Sequence, residues 1–140
     1  MVRGAIADGS ALDTFAKMVK AQGGDPAWIY DIENFPKAKY QRDVICPADG
    51  YITGVDNEGY GTASLLLGAG RNTKDDVIDF AAGIRLVKKT GDRVTKGEVL
   101  ATLYADREAL LDGGERKFLE STFIGAEQPN LRPLILGTVE

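Results

Sequence analysis

The 140-residue chain sets 17 Lys and Arg against 21 Asp and Glu, a formal net charge of −4, and its apolar and charged fractions are 44% and 27%. That length suffices for one compact domain with its own core, and the acidic balance argues against a nucleic-acid partner, whose phosphates call for a basic face. The sequence contains no histidine, which excludes Ser-His-Asp and Cys-His catalysis and histidine-ligated zinc.

Cys46 is the single cysteine, so no intrachain disulfide can form, and its flanks Val44 and Ile45 mark it as a small core residue. No apolar run approaches the roughly 18 residues of a membrane span. Residues 1–20 lack the apolar stretch of a signal peptide. A soluble, cytoplasmic setting without membrane or nucleic-acid partners is the expectation.

In chain order, Asp8, Gly9 and Ser10 offer a cap for a helix over "ALDTFAKMVKAQ". Leu12, Phe15, Met18 and Val19 fall at helical spacing and predict one core-packed stripe. Lys17 and Lys20 suit the C-terminal end of the dipole. Gly23-Gly24 and Asp25-Pro26 stop the helix. Residues 25–41 form a connector with aromatic anchors at Trp28, Tyr30, Phe35 and Tyr40, in which Pro26 and Pro36 disfavour regular structure. It serves either as an arm over the next domain or as a bridge between two domains.

From residue 42 the pattern turns to strands. "RDVICPADGYITGVD" holds two β-rich runs around Pro47 to Gly50, with Asp49-Gly50 as a turn signal. "GYGTASLLLGAGR" predicts a short apolar helix from Gly59, ended by Gly68 and Gly70. "AAGIRLVKK" predicts a strand, and Thr90-Gly91-Asp92 turns the chain. Val94 falls in the turn segment before Lys96-Gly97, and Val99 to Tyr104 is the clearest strand. "ADREALLDGGERKFLEST" predicts a helix with apolar positions Leu110, Leu111, Phe118 and Leu119, which Gly113-Gly114 is expected to kink or break, each glycine costing ~1 kcal/mol relative to alanine. "RPLILGTVE" predicts a final strand.

Three groups of residues invite chemistry. "LGAGRNTKDD" is glycine-rich and basic, but it follows a helix, which is the wrong end of the dipole for a phosphate cradle. A helix C-cap leading into a charged surface loop accounts for it. Asp75, Asp76 and Asp79 lack the alternating oxygen ligands of a calcium loop; Asp75 and Asp76 are placed to cap the next segment. Glu108, Asp112, Glu115 and Glu120 fit a solvated helix face.

"GDRVTKGEVLATLYA", Gly91 to Ala105, resembles half of a biotin- or lipoyl-carrier domain. A carrier needs a lysine at an exposed hairpin tip, and here Asp106-Arg107 follow instead. The nearest lysines are Lys96, within the preceding turn, and Lys117, within the predicted helix. What remains is a structural hairpin in which Gly91, Asp92 and Gly97 turn the chain and Val94, Val99, Leu100 and Leu103 fill a small β core.

Taken in order, "QGGDP" (Gln22 to Pro26), "LGAGR" with "KDDVIDFAAGI" (Leu67 to Ile84) and "GDRVTKGEVLATLYA" resemble the C-terminal region of pyrimidine-nucleoside phosphorylases, the family that includes thymidine phosphorylase. The resemblance implies an enzyme that cleaves a pyrimidine nucleoside with phosphate, giving free base and pentose 1-phosphate. It implies homodimers whose domains close over a cleft, and no cofactor beyond phosphate as co-substrate. It also implies an α+β fold: an N-terminal helix and arm, then a β-rich barrel-sandwich hybrid of biotinyl/lipoyl type with packed helices. The corresponding division is a helix over 1–24 as remnant of a larger α/β domain, a connector arm over 25–41, and the C-terminal domain over 42–140.

No counterpart of the family's phosphate loop stands in this sequence, so no catalytic residue carries over. The expectation is a truncated form or a separately expressed C-terminal domain, partnered by the catalytic portion of the parent enzyme and inactive alone. The resemblance casts Gly68, Ala69, Gly70, Arg71, Asn72, Thr73, Lys74 and Asp75 as a domain-closure loop, a gate rather than a source of chemistry. The alternative is a stand-alone binding or oligomerisation module of biotinyl/lipoyl-like fold without attached cofactor.

Overall fold

The structure is a computed structural model describing residues 1–71, 73–133 and 135–137. The chain forms two compact units, Met1–Pro36 and Lys37–Glu140. In the first, helices α1 (Val2–Ala7) and α2 (Ser10–Ala21) meet at Gly9, whose φ of 80° permits the sharp junction. The Asp8 carboxylate accepts from the Ser10 N–H at 2.9 Å and so caps α2. That hydrogen bond holds its pKa below the ordinary aspartate value. The helix ends at Gln22 and Gly23, with Gly23 at φ 84°.

The stripe predicted to pack on α2 is not buried. Leu12, Phe15 and Met18 are 44%, 48% and 49% exposed, and only Ala16 is fully enclosed. Periodicity fixes which face is apolar but not whether anything covers it. Within its own unit α2 meets only the short α1 and two turns. The connector contains short helical turns despite its prolines: α3 (Ala27–Tyr30), started by the Asp25 carboxylate on the Ala27 N–H at 2.9 Å, and a 3-10 turn, Ile32–Asn34. Trp28 and Phe35 meet edge to face at 5.2 Å.

The second unit holds β1 (Tyr40–Ile45), β2 (Gly50–Val55), α4 (Asn57–Ser64), β3 (Gly83–Leu86), β4 (Arg93–Val94), β5 (Val99–Ala105), α5 (Ala109–Glu120) and β6 (Thr122–Gly125). They make two antiparallel three-stranded sheets, ordered β1-β5-β3 and β4-β2-β6. The fold is therefore mixed α+β with small sheets, and the described residues form no closed barrel.

Strand β5 sits at the centre of its sheet, with Val44 opposite Ala101 on one side and Leu86 opposite Ala101 on the other. A strand paired on both edges and covered on both faces reads as a near-continuous apolar run, which is why it is the clearest in the sequence. Val44, Leu100, Leu103, Leu67, Ile52, Val94, Cys46 and Phe118 close the core, and each large apolar side chain stabilises by about 1.5–3 kcal/mol. Tyr60 stacks on Phe118 at 4.6 Å and 13°, which adds about 0.5–1.5 kcal/mol. Burial raises the Tyr60 phenol pKa against the opposing hydrogen bond to Thr122 at 2.8 Å.

Further expectations are corrected. The predicted hairpin of residues 91–105 is not one: β4 pairs with β2 and β5 with β1 and β3. Val94 belongs to β4 and is buried. The Lys96-Gly97 turn carries the chain from one sheet to the other, tied by Lys96 N–H to Asp49 Oδ1 at 2.7 Å. Similarly, the turn at Asp49-Gly50 separates sheets rather than closing a hairpin, and Gly50 (φ 154°) lies so close to β6 that a Cβ there would stand 2.5 Å from the Gly125 carbonyl.

Helix α5 runs unbroken through Gly113-Gly114, because Gly114 is needed for close packing on Leu67. Among the described residues the last strand is Thr122–Gly125: of "RPLILGTVE", residues 132, 133 and 135–137 take no regular structure, while Leu134 and residues 138–140 lie outside the described set.

Candidate functional site

The glycine-rich loop emerges from α4. The Asp56 carboxylate accepts from the Glu58 N–H at 3.1 Å and caps the helix two residues before the predicted start. Past Ser64 the helix widens into a π turn, Leu65–Ala69, an irregularity often found at functional sites. Leu67 reaches the core, and Gly68 at φ 106° ends the turn.

The loop leaves from the C-terminal end of the helix, the orientation that disfavours an anion. Gly70 is extended and a Cβ there would meet Leu65 Cδ1 at 2.6 Å. Arg71, Thr73, Lys74 and Asp75 are exposed, and Asn72 lies outside the described residues. The anticipated capping of the next segment by Asp75 and Asp76 is different in detail. Asp76 caps the loop itself, accepting from the Thr73 N–H at 3.0 Å and the Thr73 hydroxyl at 2.9 Å.

Asp79 is the pivot of the site. Its N–H donates to the Gly68 carbonyl at 3.0 Å, its Oδ1 accepts from the Ala81 N–H at 2.9 Å, and its carbonyl accepts from the Ala82 N–H at 3.2 Å. Its Oδ2 is buried without a hydrogen-bond partner among the described residues. Behind the loop lies a cavity of about 570 Å³ with Leu65, Leu66, Leu110 and Val77 as apolar walls and Asp79, Asp106 and Arg107 among its polar ones. Among the described residues, no group of three or more His, Cys, Asp or Glu side chains is placed to hold a metal ion. The gathered groups can brace a loop and present a surface; no nucleophile paired with a base is among them.

The acidic face of α5 is only partly solvated. Arg42, from β1, reaches Asp112 at 2.6 Å and Glu115 at 3.1 Å, and these two hydrogen bonds raise the pKa of its guanidinium. Their separation in sequence hides that bridge from any local pattern. Lys88 pairs with Glu98 at 2.6 Å. Lys96, considered as an attachment lysine, sits in the inter-sheet turn, and Lys117 lies in α5. The sequence alone assigns no role to Val77 and Phe80, which are 90% and 91% exposed beside the loop. Two large apolar residues directly after the charged run Lys74-Asp75-Asp76 are the available signal.

No helix among the described residues is long and apolar enough to cross a membrane. The pyrimidine nucleoside phosphorylase C-terminal domain family model matches residues 51–122, just over half the chain. The chain is 44% identical over 139 residues to the pyrimidine-nucleoside phosphorylase of Geobacillus stearothermophilus, covering 99% of this chain and 32% of that protein. It is 48% identical over 101 residues to the Bacillus subtilis enzyme of the same name, covering 72% and 23%. With a Staphylococcus aureus counterpart the figures are 44% over 108 residues, 77% and 25%. The chain thus spans about a third or less of the length of these relatives. With the matched span running from β2 through the loop, β5 and α5 to the start of β6, the chain belongs to the pyrimidine nucleoside phosphorylase C-terminal domain family.

Proposed function

We propose that this chain serves as the domain-closing part of a pyrimidine-nucleoside phosphorylase, the chemistry being supplied by a catalytic portion outside it. The observation that carries the reading is the family match over residues 51–122 on a chain covering only 32% of its Geobacillus relative. In the assembled enzyme, phosphate attacks C1′ of the pentose, the pyrimidine leaves, and pentose 1-phosphate forms. Phosphate is the co-substrate and no cofactor enters. Residues 68–75 act as the gate: the π turn and Asp79 anchor one end, the Thr73–Asp76 cap shapes the other, and exposed Arg71 and Lys74 face outward to brace the closed state.

The same reading assigns residues 1–24 to a larger α/β domain, 25–41 to a connecting arm and 42–140 to the C-terminal domain. It also assigns the paired three-stranded sheets to a barrel-sandwich hybrid, an arrangement favoured by the passage of consecutive strands between sheets. A cytoplasmic homodimer without nucleic-acid or membrane partners belongs to the same proposal. Incubating the purified chain with phosphate and thymidine or uridine tests it. No base is released if the chain lacks the chemistry, and phosphate-dependent release by the chain alone contradicts the reading.

A second reading, a stand-alone binding or oligomerisation module, draws on the half-exposed Leu12, Phe15 and Met18. Light scattering on the purified chain separates them: a stable oligomer favours the module, and a monomer speaks against it.

A further inference from the structure

We propose that Val77 and Phe80 form an apolar anchor that docks on the catalytic portion of the phosphorylase when the domains close. This deepens the functional reading above and rests on it. Val77 and Phe80 are 90% and 91% exposed, whereas Ile78 and Asp79 between them are partly buried. An exposed phenylalanine forgoes the stabilisation that burial of its ring would bring.

The segment is also held in place. Asp79 fastens its backbone to the Gly68 carbonyl and caps the following turn through Ala81 and Ala82. The two side chains are therefore displayed from a fixed backbone, which lowers the ordering cost of docking. Arg71, Lys74 and Asp75, which precede them in the same loop, are all exposed and of both signs. An apolar centre inside a mixed polar rim is the anatomy of a protein interface. A membrane or nucleic-acid surface would call for one sign of charge.

Size selects the occupant. One valine and one phenylalanine supply only a few hundred Å² at most, well below the roughly 1,000 Å² that two free copies need to associate. A patch this small suffices when a covalent link already holds its partner at high effective concentration. In the Geobacillus stearothermophilus relative, of which this chain spans 32%, the rest of the polypeptide supplies such a link, whereas a second copy of the chain has none.

The test uses a chimera in which the matching segment of the Geobacillus stearothermophilus enzyme is exchanged for this chain. V77S/F80S in that chimera is expected to lower kcat/KM for uridine at least tenfold without shifting its thermal unfolding, because both side chains are exposed in the unit that carries them. F80Y, which keeps the ring, is expected to retain activity. Unchanged kcat/KM in V77S/F80S overturns the anchor while leaving the functional reading intact. Loss of self-association with activity kept assigns the patch to a second copy and likewise overturns it. An unsubstituted chimera without phosphorolysis overturns the functional reading and the anchor together.

Discussion

Alanine at two adjacent glycines of α5 should have opposite effects. In a helix interior Gly→Ala is favourable by about 1 kcal/mol. At Gly113 a Cβ would meet nothing within 4 Å, so G113A keeps that gain. At Gly114 a Cβ would stand 2.6 Å from Leu67 Cδ2 and 2.8 Å from Leu67 Cγ. Leu67 is fully buried in the core, so its branch point cannot swing aside as a flexible surface chain would.

Overpacking of that kind costs about 1–3 kcal/mol. Set against the helix gain, G114A should be destabilising by about 1 kcal/mol, leaving the two alanines about 2 kcal/mol apart. Urea unfolding of the purified chain reads this as midpoints moving in opposite directions at constant m-value. L67A alone should cost about 2–5 kcal/mol, and G114A/L67A should cost less than the sum of the singles, because the new methyl enters the space vacated. A G114A midpoint equal to or above that of G113A would refute the packing argument.

Other substitutions probe other joints. G50A should destabilise by at least about 2 kcal/mol, since the left-handed backbone (φ 154°) and the Gly125 carbonyl at 2.5 Å both oppose a side chain; thermal unfolding reads it. R42M removes the link from β1 to Asp112 and Glu115; this partly exposed network should be worth only about 0.5–1 kcal/mol, with the difference shrinking in high salt. Glu98 is held below the ordinary glutamate value of 4.5, first by the Lys88 ammonium and then by the Thr95 N–H. Its contribution to stability is therefore complete above that value and lost as pH falls through the lowered one. In K88M most of this acid-side loss should vanish from urea midpoints followed downward from neutral pH. D79A should destabilise the loop anchor by about 1 kcal/mol. D79N retains an oxygen for the Ala81 N–H and replaces the unpartnered Oδ2, so it should match the parent within about 0.5 kcal/mol.

Local signals were legible where local physics decides them. Asp8 to Ser10 begin α2 and Gly23 ends it as their cap chemistry dictates, and β5 is apolar but for Thr102 because both of its edges and faces are covered. What local pattern could not give was pairing. The turns at Asp49-Gly50 and Lys96-Gly97 look like hairpin turns, yet each sends the chain to the other sheet, a choice set by distant strands. Gly113-Gly114 has the composition of a break, but Leu67, 47 positions earlier in sequence, makes Gly114 a packing residue. The loop 68–75 was visible from its glycines and charges. The pivot role of Asp79 and the exposure of Val77 and Phe80 were not, because hydrogen bonding and burial in an irregular segment leave no periodic signature.

The role proposed for this chain is to close an active site whose chemistry lies elsewhere. The most direct measurement is phosphate-dependent uridine cleavage by the Geobacillus stearothermophilus enzyme with its matching segment deleted, compared with the chimera in which this chain replaces it. The account predicts base release from the chimera and little or none from the truncated enzyme. A truncated enzyme as active as the chimera would contradict it.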